Sequence, residues 1–161
     1  MLCINSFNHT IMKTEGIIKT KILKTGNDNK TLFIRIIVSL IFISEGIQKY
    51  LFLAVFGPGY FAEIGFNHSF FWAYFTGAFE IICGILILFG LLTRLASIPL
   101  LIIMITAFIT TKLPLLINKG FMTFAHEYST DFSLTLLLIL LIIYGGGNWS
   151  VDWKIMQSEN P

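Results

Sequence analysis

Residues 31–56, TLFIRIIVSLIFISEGIQKYLFLAVF, form an apolar run long enough to cross a bilayer, yet they carry Arg35, Glu45, Gln48 and Lys49. On a helix turning about 100° per residue, Arg35, Ser39, Phe42, Glu45, Gly46 and Lys49 fall on one stripe roughly 120° wide. Ile36, Ile37, Leu40, Ile41, Ile43 and Ile47 cover most of the remaining surface. A helix of this pattern has one face suited to lipid and one that must turn away from it.

The rest of the chain has the same character. Of its 161 residues 55% are hydrophobic and only 12% charged, and the mean hydropathy is +0.79. Those values exclude an ordinary soluble domain and predict an all-α, polytopic membrane four-helix bundle. The net charge of +2 is too small to point to nucleic acid, so the expected surroundings are the membrane lipid bilayer and whatever lies in it. Four stretches approach the roughly 20 apolar residues of a spanning helix, about 32–53, 70–92, 95–116 and 125–144. They make a single domain over residues 31–153, preceded by a cytoplasmic or interfacial tail over residues 1–30 and followed by a short C-terminal tail over residues 154–161.

The last span is apolar only from Leu134 onward, so it must draw Glu127 and Asp131 into its opening turns. The first loop contains Gly57-Pro58-Gly59 and then Tyr60, Phe61 and Phe66, which predicts a turn and an interfacial half-helix. Gly145-Gly146-Gly147 ends the last span, and Trp149 and Trp153 suit the headgroup level beyond it. Thr106, Thr110 and Thr111 on the third span read as residues that bond back to their own helix, with Pro99 and Pro114 kinking or ending it.

Lys13, Lys19, Lys21, Lys24 and Lys30 in the tail and Arg94 in the short second loop outweigh the first loop, which has no basic residue, and the third, which has Lys112 and Lys119. The bias places both termini in the cytoplasm. No cleavable signal is readable before the first span, and Met12 is an alternative start. Cys3 and Cys83 do not form a disulfide framework, and no C-x-x-C is present. The histidines, His9, His68 and His126, fall in the tail and the two outer loops, where they offer no transmembrane haem ligands. No metal site and no nucleotide or flavin motif is evident, and the chain shows no redox cofactor motif of its own.

The chemistry is carried by the buried charges. Glu80 projects from a stripe of the second span otherwise made of Ala73, Thr76, Gly77 and Gly84, small residues that let another helix approach closely. Counting about 1.5 Å per residue from the outer ends, Glu45 and Glu80 differ in depth by only about 3 Å. Lys49 lies one turn further out, at the level where Glu127 and Asp131 enter on the fourth span. The expected arrangement is up to four carboxylates around one amine, with a proton held among them to relieve the repulsion. Glu45, Lys49 and Glu80 are therefore the candidate proton-exchanging residues, and Glu127 and Asp131, with Arg35 and Arg94 at the inner end, the candidate substrate-binding ones. The competing reading is purely structural, with Lys49 pairing Glu45 within one helix as packing glue.

In order along the chain stand Phe33-Ile34-Arg35, Glu45-Gly46-Ile47-Gln48-Lys49, Gly57-Pro58-Gly59-Tyr60-Phe61, Phe71-Trp72-Ala73-Tyr74, Ala78-Phe79-Glu80-Ile81-Ile82-Cys83-Gly84, Gly90-Leu91-Leu92-Thr93-Arg94 and Gly147-Asn148-Trp149-Ser150-Val151-Asp152. This ordered set resembles the DoxX family of small four-helix bacterial membrane proteins. The resemblance implies a multi-pass protein of the bacterial cytoplasmic (inner) membrane, associated with quinone- or thiol-linked oxidoreductase systems. On that footing the chain is expected to be an integral subunit of such a system, its acids and Lys49 exchanging protons with a quinone while a cofactor-bearing partner handles the electrons. Whether it is an enzyme in its own right is left open. A non-enzymatic transporter or scaffold using the same carboxylates is the alternative, and a homo-oligomer contacting along residues 77–84 is a third arrangement.

The topology has a direct check. A compartment-sensitive reporter fused after Pro161 is expected to be active only in its cytoplasmic form; activity on the outer face overturns the assignment.

Overall fold

The computed structural model describes residues 30–159; most of the expected N-terminal tail, with Met12, Cys3 and His9, and the last two residues lie outside the described residues. The described chain is helical throughout apart from turns. Helix α1 spans Lys30–Leu51, α2 Pro58–Glu63, α3 Ser69–Phe89 and α4 Thr93–Ala107. A π-helical turn, Phe108–Lys112, joins α4 to α5, Leu113–Lys119; α6 spans Phe121–Tyr144 and α7 Val151–Glu159. Four units, α1, α3, the continuous Thr93–Lys119 and α6, are long and apolar enough to cross a membrane.

The four pack as a ring in which α1 touches α3 and α6, and α4 touches the same two from the other side. Val38, Phe42, Ile87, Leu100, Leu134 and Leu138 fill the centre, each buried. The tightest crossing is between α1 and α3. A Cβ on Gly46 would come within 2.8 Å of the Gly77 carbonyl, and one on Gly84 within 2.8 Å of Ile43. Lipid supplies no hydrophobic drive for helix association, so backbones that approach this closely gain their stability from dispersion contacts. The small-residue stripe offered by the sequence as a contact between copies is thus filled by α1 of the same chain.

The predicted elements are present, with shifted ends that have physical causes. The first loop contains a half-helix, α2, started by Pro58 at its first turn, where a missing N–H costs nothing. The third span is longer than residues 95–116 at both ends. Thr93 and Arg94, expected in a loop, open α4 instead, because the Asp152 carboxylate, contributed from beyond α6, accepts from the backbone N–H of Leu92 at 2.8 Å and of Thr93 at 3.1 Å. A helix cap supplied from 60 residues away is invisible to a local reading. At the other end Pro114 has no N–H to offer Thr110, so the helix accommodates it with one turn in which Leu113 N–H donates five residues back to Phe108. Gly120, at φ 81°, then reverses the chain in a single residue. The expected third loop is therefore almost absent, and His126, placed there by the sequence, lies on α6 with Glu127 and Asp131. Beyond the glycines, most of the segment expected as a tail is helix α7, with Ser150 Oγ accepting from Trp153 N–H at its start.

At the end of the bundle opposite α2, Arg35 ties three elements together. Its Nε donates to Ile87 O at 2.8 Å, Nη2 to Leu88 O at 2.7 Å, and Nη1 to Gly146 O at 2.8 Å and Trp149 O at 3.1 Å. The residue is only 1% exposed. Two of the carbonyls it collects, Ile87 O and Leu88 O, belong to the last turn of α3, and the other two to the turn after α6, so the guanidinium serves as a cap for α3 and a tie to the glycine turn together. Gly90, at φ 69°, makes room for it: a Cβ there would sit 2.6 Å from the guanidinium carbon.

Replacing Arg35 by Met removes this donor from Leu88 O, Gly146 O and Trp149 O, whereas Ile87 O keeps the Gly90 N–H at 3.0 Å. The expected loss is about 3 kcal/mol or more, read as a lowered unfolding midpoint in detergent, whereas Ile36→Met on the exposed face should change it by less than about 0.5 kcal/mol.

Candidate functional site

At the α2 end the ring of helices opens into a cavity of about 680 Å³. Its base is ionic. Lys49, at the last turn of α1, reaches across the glycine crossing to Glu80 on α3, with Nζ 2.6 Å from Oε2. Glu80 is 2% exposed and Lys49 15%, so the pair is largely buried within the bundle and meets the surroundings only through the cavity. The close approach of Gly46 to Gly77 is what brings the two side chains within reach, and the intrahelical Glu45–Lys49 pairing gives way to this interhelical one. In a low-dielectric setting a carboxylate and an ammonium hold each other far more strongly than at a surface.

Glu45 lies one turn along α1 from Lys49 and faces the same space. Among the described residues it takes no hydrogen bond or ion pair; the charges that act on it are Lys49, Asp131 and Lys112. On the far wall Lys112, from the π-helical turn, lies 3.3 Å from Asp131 and 4.0 Å from Glu127, and its Nζ also donates to Glu127 O at 3.2 Å. Sequence reasoning placed Lys112 in a loop and made Lys49 the single amine at this depth. The structure gives the site two amines, one for each wall. The available signal was that Leu113, Leu115, Leu116 and Ile117 continue the apolar run past Lys112, so that a span ending at residue 116 already had to contain it.

The sides are aromatic. Phe56, Phe61, Phe66, Trp72 and Phe75 line the cavity, and the last four are joined edge to face: Phe61 to Phe66 with centroids 5.6 Å apart, Phe66 to Trp72 at 6.1 Å and Trp72 to Phe75 at 6.0 Å. Thr110 and Thr111, whose hydroxyls donate back to Thr106 O and Ala107 O, face in from the π-helical turn. Such turns recur at functional sites because the extra residue re-aims the side chains around it. The arrangement offers a flat or ring-shaped molecule stacking partners, two ammonium donors and a carboxylate, Glu45, with capacity to accept.

Of the residues singled out in the sequence, Glu45, Lys49, Glu80 and Asp131 line this one cavity, and Glu127 lies beside it. Arg35 and Arg94 do not. Arg35 is held in its carbonyl cage, and Arg94 donates from Nη2 to Ile143 O at 2.6 Å, at the C-terminal end of α6. The residue the sequence left without a role is Asp152, buried at 2% exposure, which caps α4 and whose own N–H donates to Gly90 O at 3.0 Å.

Fold and site together define a small polytopic helical membrane protein with an ion-paired, aromatic-walled cavity at one end. The DoxX family model matches residues 30–113, and the chain belongs to that family. It is 42% identical over 143 residues to "Uncharacterized membrane protein Rv3486" of Mycobacterium tuberculosis, covering 85% of this chain and 88% of that one. It is 34% identical over 132 residues to "Putative oxidoreductase CatD" of Bacillus subtilis, covering 80% and 89%. No solved structure matches it.

The Lys49–Glu80 pair is open to a double-mutant cycle. Lys49→Met and Glu80→Gln are each expected to destabilise the bundle, and together by less than their sum, with a coupling of about 1–3 kcal/mol. Additive losses in denaturant titrations of the detergent-solubilised protein would remove the pair from the structure's ledger of stabilising contacts.

Proposed function

We propose that this protein is the membrane subunit of an oxidoreductase system and that its cavity takes the ring of a quinone, with protons exchanged at Glu45, Glu80 and Lys49. The observation that carries the reading is the buried Lys49–Glu80 pair at the base of an aromatic-walled cavity, with Glu45 beside it. Small-molecule sites are concave, largely apolar and about 300–1,000 Å³ in size, with a few convergent polar groups. This cavity, at about 680 Å³, has that composition. The name of the Bacillus subtilis relative supports placing the chain among oxidoreductase components.

A bound quinone would supply the two-electron, two-proton chemistry, and the electrons come from a cofactor-bearing partner protein. The chain's own residues bind and handle protons. Phe66, Trp72 and Phe75 offer faces and edges for stacking. Lys49 has donors beyond the one given to Glu80, suited to a carbonyl oxygen of the ring. Glu45 holds or releases a proton within reach of the same space, and Glu80 keeps Lys49 oriented. In this reading the cavity end faces the outside of a bacterial cytoplasmic membrane, with the termini inside, an orientation that the distribution of lysines supports.

Purification in a gentle detergent followed by mass spectrometry of retained small molecules and proteins tests this reading. A quinone is expected with the wild-type chain and depleted about tenfold or more with Glu80→Gln or Lys49→Met. A pure wild-type protein that retains neither quinone nor a cofactor-bearing partner overturns it.

A further inference from the structure

A second hollow, of about 450 Å³, adjoins the main cavity at the α2 end. Glu63 of α2 and Glu127 of α6 line it, while Tyr60, Thr110 and Lys112 belong to the walls of both hollows. Lys112 therefore stands in the partition between an antechamber and the cavity proper. Its two carboxylate neighbours are divided in the same way: Asp131, at 3.3 Å, lines the cavity, and Glu127, at 4.0 Å, lines the antechamber.

Glu127 and Asp131 are one turn apart on the same face of α6, and the amine lies within ion-pair distance of both while donating to Glu127 O at 3.2 Å, so it can lean further toward either without losing a counter-charge. That matters because Lys112 is only 19% exposed, so its ammonium loses stabilisation when it has no partner, and two alternative partners keep it paired through the transition. The backbone beneath Lys112 is the π-helical turn, whose longer hydrogen-bonded ring is a weak point in an otherwise regular helix. We infer that Lys112 is an ion-paired gate between the antechamber and the cavity, shut when its amine rests on Asp131 and open when it rests on Glu127. Along the path stand five carboxylates, Glu63, Glu127, Asp131, Glu45 and Glu80, against two amines, Lys49 and Lys112. A passage of that sign admits neutral and cationic molecules ahead of anions. The gate goes beyond the quinone reading and holds for any molecule that reaches the cavity from the α2 end.

Thiol-labelling rates test it on the full chain in lipid nanodiscs, where both faces are open to reagent. With Cys3→Ser and Cys83→Ser, a single thiol is introduced by Ala107→Cys or, on another wall, by Thr76→Cys; both positions line the cavity and not the antechamber. A neutral maleimide reports the gate. Its rate is expected to rise about fivefold with Asp131→Asn, which leaves the amine only Glu127, and to fall about fivefold with Glu127→Gln, which leaves it only Asp131; Lys112→Gln abolishes the difference between them. A cationic methanethiosulfonate is expected to react about tenfold faster than an anionic one of similar size. Two carboxylate variants that shift the neutral rate in the same direction, or not at all, at both thiol positions overturn the gate. Equal rates for the two charged reagents overturn the charge selection.

Discussion

A guanidinium cannot be left in hydrocarbon, and the bundle depends on how that one constraint is met. Arg35 has five N–H donors and no way to lose its charge. The chain satisfies it with carbonyls drawn from the end of α3 and from the turn after α6, and Asp152, on the adjoining turn, sends its carboxylate to the start of α4. One polar assembly therefore fixes where α1, α3, α4 and α6 stand relative to one another at the termini end. Hydrogen bonds of this kind are directional, whereas the apolar contacts along the rest of the bundle are not. The position of Lys49, nearly four turns along the same helix, is set by that anchoring and by the glycine crossing between it and Arg35.

The two ends of α1 thus use charge in opposite ways. Around Arg35 all three guanidinium nitrogens are committed, in four hydrogen bonds, and Gly90 leaves no room for a side chain. Around Lys49 only one carboxylate is committed, Glu45 stands open to the cavity, and aromatic rings rather than backbone close the space. A fully satisfied polar cluster specifies structure; a partly satisfied one retains capacity for a ligand or a proton.

Much of this was legible in the residues. The hydropathy and the stripe containing Arg35, Glu45 and Lys49 predict four spanning helices and a polar interior, and the depth count brings Glu45 to the level of Glu80. Gly57-Pro58 marks α2, and the requirement that Glu127 and Asp131 enter the last span is met by a helix that starts at Phe121. What escaped a local reading depends on distant partners. Thr93 is helical because Asp152 caps it across 59 residues, and Lys112 belongs to the cavity because Pro114 reshapes the helix instead of ending it. Lys49 pairs with Glu80 and not Glu45 because Gly46 and Gly77 remove the side chains that would separate two helices. Spacing along one element cannot supply such information.

The walls of the cavity are mechanically unequal. The α1 and α3 side is cross-braced by backbone contact at Gly46 and Gly84, by the stacked Tyr50 and Tyr74 rings and by the Tyr50 hydroxyl donating to Tyr74 O. The opposite side has a proline within α4, a π-helical turn, and a single-residue reversal at Gly120 between α5 and α6. The cavity thus has one wall of regular, closely crossed helices and one whose helix is irregular. The Lys49–Glu80 pair belongs to the braced wall, so its separation and orientation are set independently of how the facing wall is packed.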